Sequence, residues 1–285
     1  MHLKGGLGNQ LFQYALGRHL SLIHNSPLLL DIMSFDSDKL RNYRLDAFNI
    51  CAHIAPPRYI NTFLRRLIAK IQFRNPFKYY CASETFIIEN GFAFQPEILN
   101  CPEDTYLDGY WQSHRYFDAI APIIRSDLTL KDPLSKYLSI LKSEISSTNS
   151  VSIHVRRGDY ANNPVTTNYH GLCSLDWYQQ AFGKMQSLVK NAKYFVFSDD
   201  PDWVTANLKL NAPTAYILPS ADGKEAHDLY LMSQCKHNII ANSSFSWWAA
   251  WLNPNTQKNI IAPKIWFSGA DHDTKDLIPN DWIRI

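Results

Sequence analysis

The sequence predicts an α/β protein of two domains, the second built on a doubly wound parallel sheet. Three observations predict it. From about residue 150 onward, short β-branched runs alternate with helical segments; a glycine-dense turn feeds a helix near residue 8; and a polar stretch, Ser146-Ser-Thr-Asn-Ser150, separates the halves. A length of 285 residues suits two ordinary domains, expected at 1–149 and 150–285. With 46% hydrophobic residues the chain can bury a large core, which excludes disorder as its main state.

In chain order, Met1-His-Leu-Lys4 leaves room for only a short or frayed first strand. Gly5, Gly6 and Gly8 then fall within four residues of a chain with only 11 glycines, and a helix from Gly8 to about Leu22 follows. Glycines there permit positive φ and leave helix N–H groups pointing outward. The glycine that a dinucleotide fingerprint would require next is Leu11, so no such fingerprint forms. Leu28–Ile32 and Tyr106–Asp108 are expected strands, and a helix is expected between Lys131 and Ser150. The second half gives Val151–Val155, Tyr194–Phe197, Ala215–Leu218, Asn238–Ala241 and Asn259–Ala262 as strands, with helices after Ser174, Pro201, Gly223 and Ser244.

The charge balance, 28 basic against 26 acidic residues, is too even to advertise a nucleic-acid partner. Five scattered cysteines (Cys51, Cys81, Cys101, Cys173, Cys235) make neither a disulfide framework nor a zinc clip. No apolar run has the length of a signal or a membrane span, and a cytoplasmic location is expected. Between Ala52 and Ser83 there is no acidic residue, while Arg58, Arg65, Arg66, Lys70, Arg74 and Lys78 are basic. A helix over 58–78 has two readings there: an ordinary surface helix, or a peripheral contact with the inner, anionic membrane face.

Strand-end motifs carry the chemistry. In His154-Val-Arg156-Arg157-Gly158-Asp159 the two-residue period sends Val151, Ile153 and Val155 one way and Ser152, His154 and Arg156 the other. Arg156 then ends the strand where ligands bind in such sheets, and its planar fork suits two phosphate oxygens; pairing of an arginine with Asp159 is the alternative. Phe197-Ser198-Asp199-Asp200-Pro201 is a strand running into a helix, with Asp200 as N-cap and Pro201 at N1. Asn242-Ser243-Ser244-Phe245-Ser246 opens another helix with more small polar residues than a cap needs. Three Asp-x-Asp triplets, at 36–38, 200–202 and 271–273, do not read as a metal site, and no metal or other cofactor is expected.

Together with Leu107-Asp-Gly-Tyr-Trp-Gln-Ser-His-Arg-Tyr-Phe117, these motifs resemble glycosyltransferase family 11, the α-1,2-fucosyltransferases, over nearly the whole chain. The resemblance implies a GT-B architecture of two Rossmann-like domains facing a central cleft, with GDP-β-L-fucose held by the second. It implies inverting transfer of fucose to the 2-hydroxyl of a terminal β-galactoside, in cell-surface glycan synthesis of the O-antigen type. A GDP-sugar transferase of another linkage and a non-catalytic glycan- or nucleotide-binding protein are the alternatives. By the same resemblance Arg156 grips the β-phosphate, His154 contacts the nucleoside, and Asp228 reads guanine. Arg157, Ser198, Asn242, Ser243, Ser244, Phe245 and Ser246 complete the donor site. Gly6, Asn9, Gln10 and Trp111 line the acceptor side, with Asp159 and His114 as candidate bases.

Overall fold

A computed structural model describes residues 1–56, 86–158, 169, 171–220, 224–269 and 272–285. They form two compact units: Met1–Thr129 with Asp273–Leu277, and Leu130–His272 with Ile278–Ile285.

The first unit contains α1 (Leu7–His24), β1 (Leu29–Leu30), β2 (His53–Ile54), β3 (Phe86–Ile88), β4 (Tyr106–Asp108) and α2 (Ala121–Asp127). β1 pairs with β2 and β3 with β4, both in parallel. Met1–Leu3 links the two pairs. The His2 amide donates to the Leu107 carbonyl at 2.9 Å, and the Leu3 amide donates to the Asp31 carbonyl at 2.9 Å. Leu3 is fully buried, so this short first strand is pinned on both sides rather than frayed. At Gly5 the chain turns into α1 with φ +79°, and a Cβ there would stand 2.6 Å from Asn9 Nδ2, so only glycine fits. Leu11, Phe12, Tyr14, Ala15 and Leu16 bury α1, which ends at Asn25 in the left-handed region.

The second unit contains α3 (Lys136–Ser147), β5 (Asn149–Val155), α4 (Leu175–Leu188), β6 (Ala192–Ser198), α5 (Pro201–Asn207), β7 (Thr214–Ile217), α6 (Glu225–Gln234), β8 (His237–Ile239), α7 (Ser244–Leu252), β9 (Ile260–Ala262) and β10 (Ile283–Arg284). Its six strands are parallel in the order β10-β9-β8-β5-β6-β7. All five strands expected here are present, and β10 adds a sixth beside β9. Val151, Ile153 and Val155 pack with Tyr178, Ala181, Phe182 and Met185 of α4, as the alternation predicts. On the other face, Asn238 Nδ2 donates to Ser152 Oγ at 2.7 Å and Asn253 Nδ2 donates to Asn238 Oδ1 at 2.7 Å. This buried polar chain is satisfied and fixes β5 to β8.

The division between units falls at Thr129/Leu130, not at 149/150. α3 is amphipathic and buries Leu141 and Ile145, and its Glu144 forms an ion pair with Lys193 of β6. The polar stretch expected as a linker is instead the end of α3 and the start of β5. The basic segment 58–78, Cys81 and Asp159 lie outside the described residues. Among the described residues no helix is long and apolar enough to cross a membrane.

Candidate active site

Strand order reverses beside β5: the chain runs outward through β6 and β7, then crosses to β8 on β5's other edge. Open α/β sheets bind ligands at the carboxyl ends of the strands at such a reversal. The loops at that point are Arg156–Gly158 after β5 and Asn242–Ser243 after β8, two of the motifs singled out in the sequence.

His154 is buried at 5% exposure, and its ring lies 5.5 Å from that of Phe245 in the first turn of α7. Its Nδ1 has no hydrogen-bond partner among the described residues. Burial lowers its pKa to about 4, Asp199 opposing the shift and Arg156 adding to it, so the imidazole is neutral at working pH. Arg156 Nη1 pairs with Asp199 Oδ2 at 2.6 Å, and the Arg157 amide donates to Asp199 Oδ1 at 2.8 Å. The Arg157 guanidinium lies 3.6 Å over the Trp203 ring while its Nε meets Asp200 Oδ2 at 3.2 Å. Asp199 thereby aims one arginine and anchors the backbone of the next. Gly158 allows this approach, since a Cβ there would stand 2.5 Å from Asp199 Oδ2. Asp200 caps α5 through the Trp203 amide at 3.2 Å with Pro201 at N1, as expected.

Ser243 is the N-cap of α7, yet its side chain makes no capping bond. The start of α7 lies at the same strand ends as Arg156, with Phe245 of its first turn beside His154, and a helix N-terminus there suits an anion. Other expected donor residues also bond to the surrounding scaffold. Asn242 Nδ2 donates to the carbonyls of Gly171 at 3.3 Å and Trp266 at 3.2 Å, tying two loops together. Ser246 Oγ donates to the Ser243 carbonyl at 3.3 Å, and Ser198 Oγ accepts from the Asp200 amide at 3.0 Å. Asp228 accepts from Ser220, from its amide at 3.0 Å and its hydroxyl at 2.7 Å; burial raises its pKa against those bonds.

The first unit places Gly6, Asn9 and Gln10 at the start of α1 and Trp111 in the turn after β4, where the neighbouring Gln112 reaches Asn9. Gln10 is fully buried and joins two loops, donating to Gly5 O at 2.9 Å and Asn42 O at 2.8 Å while accepting from the Arg44 amide at 2.9 Å. Asn9 Oδ1 accepts from Gln112 Nε2 at 2.8 Å. His114 Nδ1 lies 2.6 Å from Asp118 Oδ2. Trp111 is fully buried at φ +56°. Its amide is held by Glu89, a residue the sequence reading missed, whose burial raises its pKa to about 7. Its only sequence signal is a carboxylate directly after a short apolar run, Phe86-Ile-Ile88.

An arginine, a neutral buried histidine and a helix start meet at the strand-order reversal, an arrangement whose chemistry suits an anion. Comparison gives the class its family. The model for glycosyl transferase family 11 matches residues 1–285, and the chain belongs to that family of glycosyltransferases. It is 32% identical to the O-antigen biosynthesis glycosyltransferase WbnK of Escherichia coli, over 99% of each chain. It is 34% identical to an alpha-1,2-colitosyltransferase of Escherichia coli, over 99% of this chain and 97% of that one. In fold it is similar to NodZ alpha-1,6-fucosyltransferase soaked with GDP-fucose, at TM-score 0.54 and 16% identity over 95% of each chain. It is also similar to fucosyltransferase NodZ from Bradyrhizobium, at TM-score 0.51 and 15% identity over 87% of this chain and 90% of that one.

Proposed function

We propose that this protein transfers L-fucose from GDP-β-L-fucose to the 2-hydroxyl of a terminal β-galactoside, with inversion and without a metal. Its setting is O-antigen-type glycan synthesis in the cytoplasm, with the 58–78 segment as a candidate contact to the inner membrane face. The observation that carries the reading is the meeting of Arg156, His154 and the uncapped start of α7 at the strand-order reversal. A GT-B class of fold belongs to the same proposal.

As the galactoside 2-oxygen forms its bond to the anomeric carbon, the bond from that carbon to the β-phosphate oxygen breaks and GDP takes the electron pair. Arg156, held by Asp199, and the helix amides stabilise that charge, which supports a metal-free reaction. Neutral His154 offers Nδ1 to a nucleoside hydroxyl, Asp228 pairs with guanine, and Arg157, Ser243, Ser244 and Phe245 shape the rest. The hydroxyl proton passes to Asp159 or His114, or to the departing phosphate. The relative named colitosyltransferase favours a second reading, another GDP-linked sugar in the same site.

Release of GDP from GDP-fucose, measured in EDTA with and without N-acetyllactosamine and followed by linkage analysis, tests this. Acceptor-dependent release with an α-1,2-linked product is expected. Release that needs a divalent metal overturns metal independence, another linkage overturns the acceptor position, and failure to bind GDP overturns the donor.

A further inference from the structure

We propose that Glu89 is a positioning residue for acceptor recognition, holding the Gly109–Gln112 turn that sets Gln112 against Asn9 at the start of α1. This rests on the reading above that the first unit receives the glycan. The Glu89 carboxylate grips two successive amides, Oε2 accepting from Tyr110 at 2.5 Å and Oε1 from Trp111 at 2.7 Å. Its own amide donates to the Asp108 carbonyl at 2.9 Å, so backbone and side chain clamp the same turn. The fit leaves no room at Gly109, where a Cβ would stand 2.3 Å from Glu89 Cβ and 2.7 Å from Trp111 Cε2.

The clamp keeps Trp111 at φ +56°, a conformation costly for a bulky residue unless its surroundings over-determine it. The next residue, Gln112, reaches Asn9 Oδ1 at 2.8 Å. Gln112 Oε1 and Trp111 Nε1 are buried without a hydrogen-bond partner among the described residues. One acceptor and one donor at an ordered turn are what a sugar hydroxyl or an ordered water completes. The turn also lies at the carboxyl ends of the first unit's parallel strands, where Lys4, Asp31, Glu89 and Asp108 gather. Lys4 and His2 both bind Asp108 Oδ1, at 2.8 and 2.9 Å, which leaves Glu89 to the amides. The charged or titratable groups acting on Glu89 are Lys4 and Asp108, and Tyr116 feels its charge in turn.

The test is a titration of the full-length protein with N-acetyllactosamine, read by tryptophan fluorescence without donor, for wild type, Glu89→Gln and Gln112→Ala. GDP affinity and melting temperature are measured alongside. Each variant is expected to weaken glycan binding about tenfold, the loss of one well-placed hydrogen bond, with GDP affinity unchanged. In wild type, glycan binding weakens as pH falls through about 7, where protonation removes an acceptor from the turn; Glu89→Gln loses that dependence. Unchanged glycan affinity in Glu89→Gln, an equal loss of GDP affinity, or a pH dependence that survives the substitution overturns the proposal, as does a wild type that binds no glycan. Absence of GDP binding with glycan binding intact overturns the donor reading alone.

Discussion

The two units place their candidate groups by different means. In the second, side chains at neighbouring strand ends hold one another: Arg156 to Asp199, Arg157 to Asp200, His154 to Phe245. In the first, a carboxylate holds backbone, and Trp111 and Gln112 are placed by the turn they stand on. The second unit's arrangement is therefore exposed to single side-chain changes, the first unit's to changes in the backbone it clamps.

The largest effect is expected at Arg156. Removing a group that meets developing charge costs about 100- to 1,000-fold in rate, so Arg156→Ala should lower GDP release from GDP-fucose by that factor at saturating substrates. Asp199→Asn keeps the shape but drops the charge that aims Arg156 and should cost roughly tenfold. Arg156→Ala with wild-type turnover would remove Arg156 from the reaction. Neither change should move glycan affinity, which the proposal places in the other unit.

A smaller and sharper contrast comes from one substitution made twice. At Gly158 an added methyl meets Asp199 Oδ2 at 2.5 Å, the end of a partly exposed side chain that can rotate away. Gly158→Ala should therefore melt within a few degrees of wild type yet lose GDP release, because the rotated carboxylate no longer holds Arg156. At Gly109 the methyl meets Glu89 Cβ at 2.3 Å and the ring of fully buried Trp111 at 2.7 Å, neither of which can yield. Gly109→Ala should cost about 1–3 kcal/mol in denaturant unfolding, as overpacking does. If the two alanines behave alike, the distinction between the units fails.

The same distinction governs what could be read from the sequence. β5 to β9 were legible because apolar alternation and helix starts repeat along the chain, and the cap at Asp200-Pro201 is local chemistry. His154 and Arg156 were legible because a two-residue period puts them together at a strand end. β10 was not, because a two-residue strand at the edge is defined by its pairing with β9 and not by its own pattern. The boundary at 149/150 went astray because polar residues ending an amphipathic helix look the same as a linker until its partner is known. Glu89 was missed for a related reason: it stands 21 residues from the amide of Tyr110 it holds, and no local pattern marks a carboxylate that binds backbone. Asn242 and Gln10 were found as unusual polar residues, but their amides are spent on loop carbonyls, a use that composition cannot distinguish from ligand binding.

The smallest predicted effect is also the one that separates the units by sign. Burial depresses His154 to about 4, so as pH falls from about 6.5 an unfolded chain takes up a proton that the folded second unit refuses; stability there is lost toward acid. Burial raises Glu89 from 4.5 to about 7, so between those values the folded first unit keeps a proton that the unfolded chain releases. Stability there is full below about 4.5 and lost as pH rises to 7. Each shift is worth on the order of 3 kcal/mol at most, less for the incompletely buried Glu89. Denaturant unfolding of wild type, His154→Gln and Glu89→Gln at pH 5 and 7.5 reads both slopes. His154→Gln should flatten the acid-side loss and Glu89→Gln the loss toward neutrality. Two variants that flatten the same side would mean that one of these groups is solvated in solution, and the charge on the other then governs the stability of the whole chain.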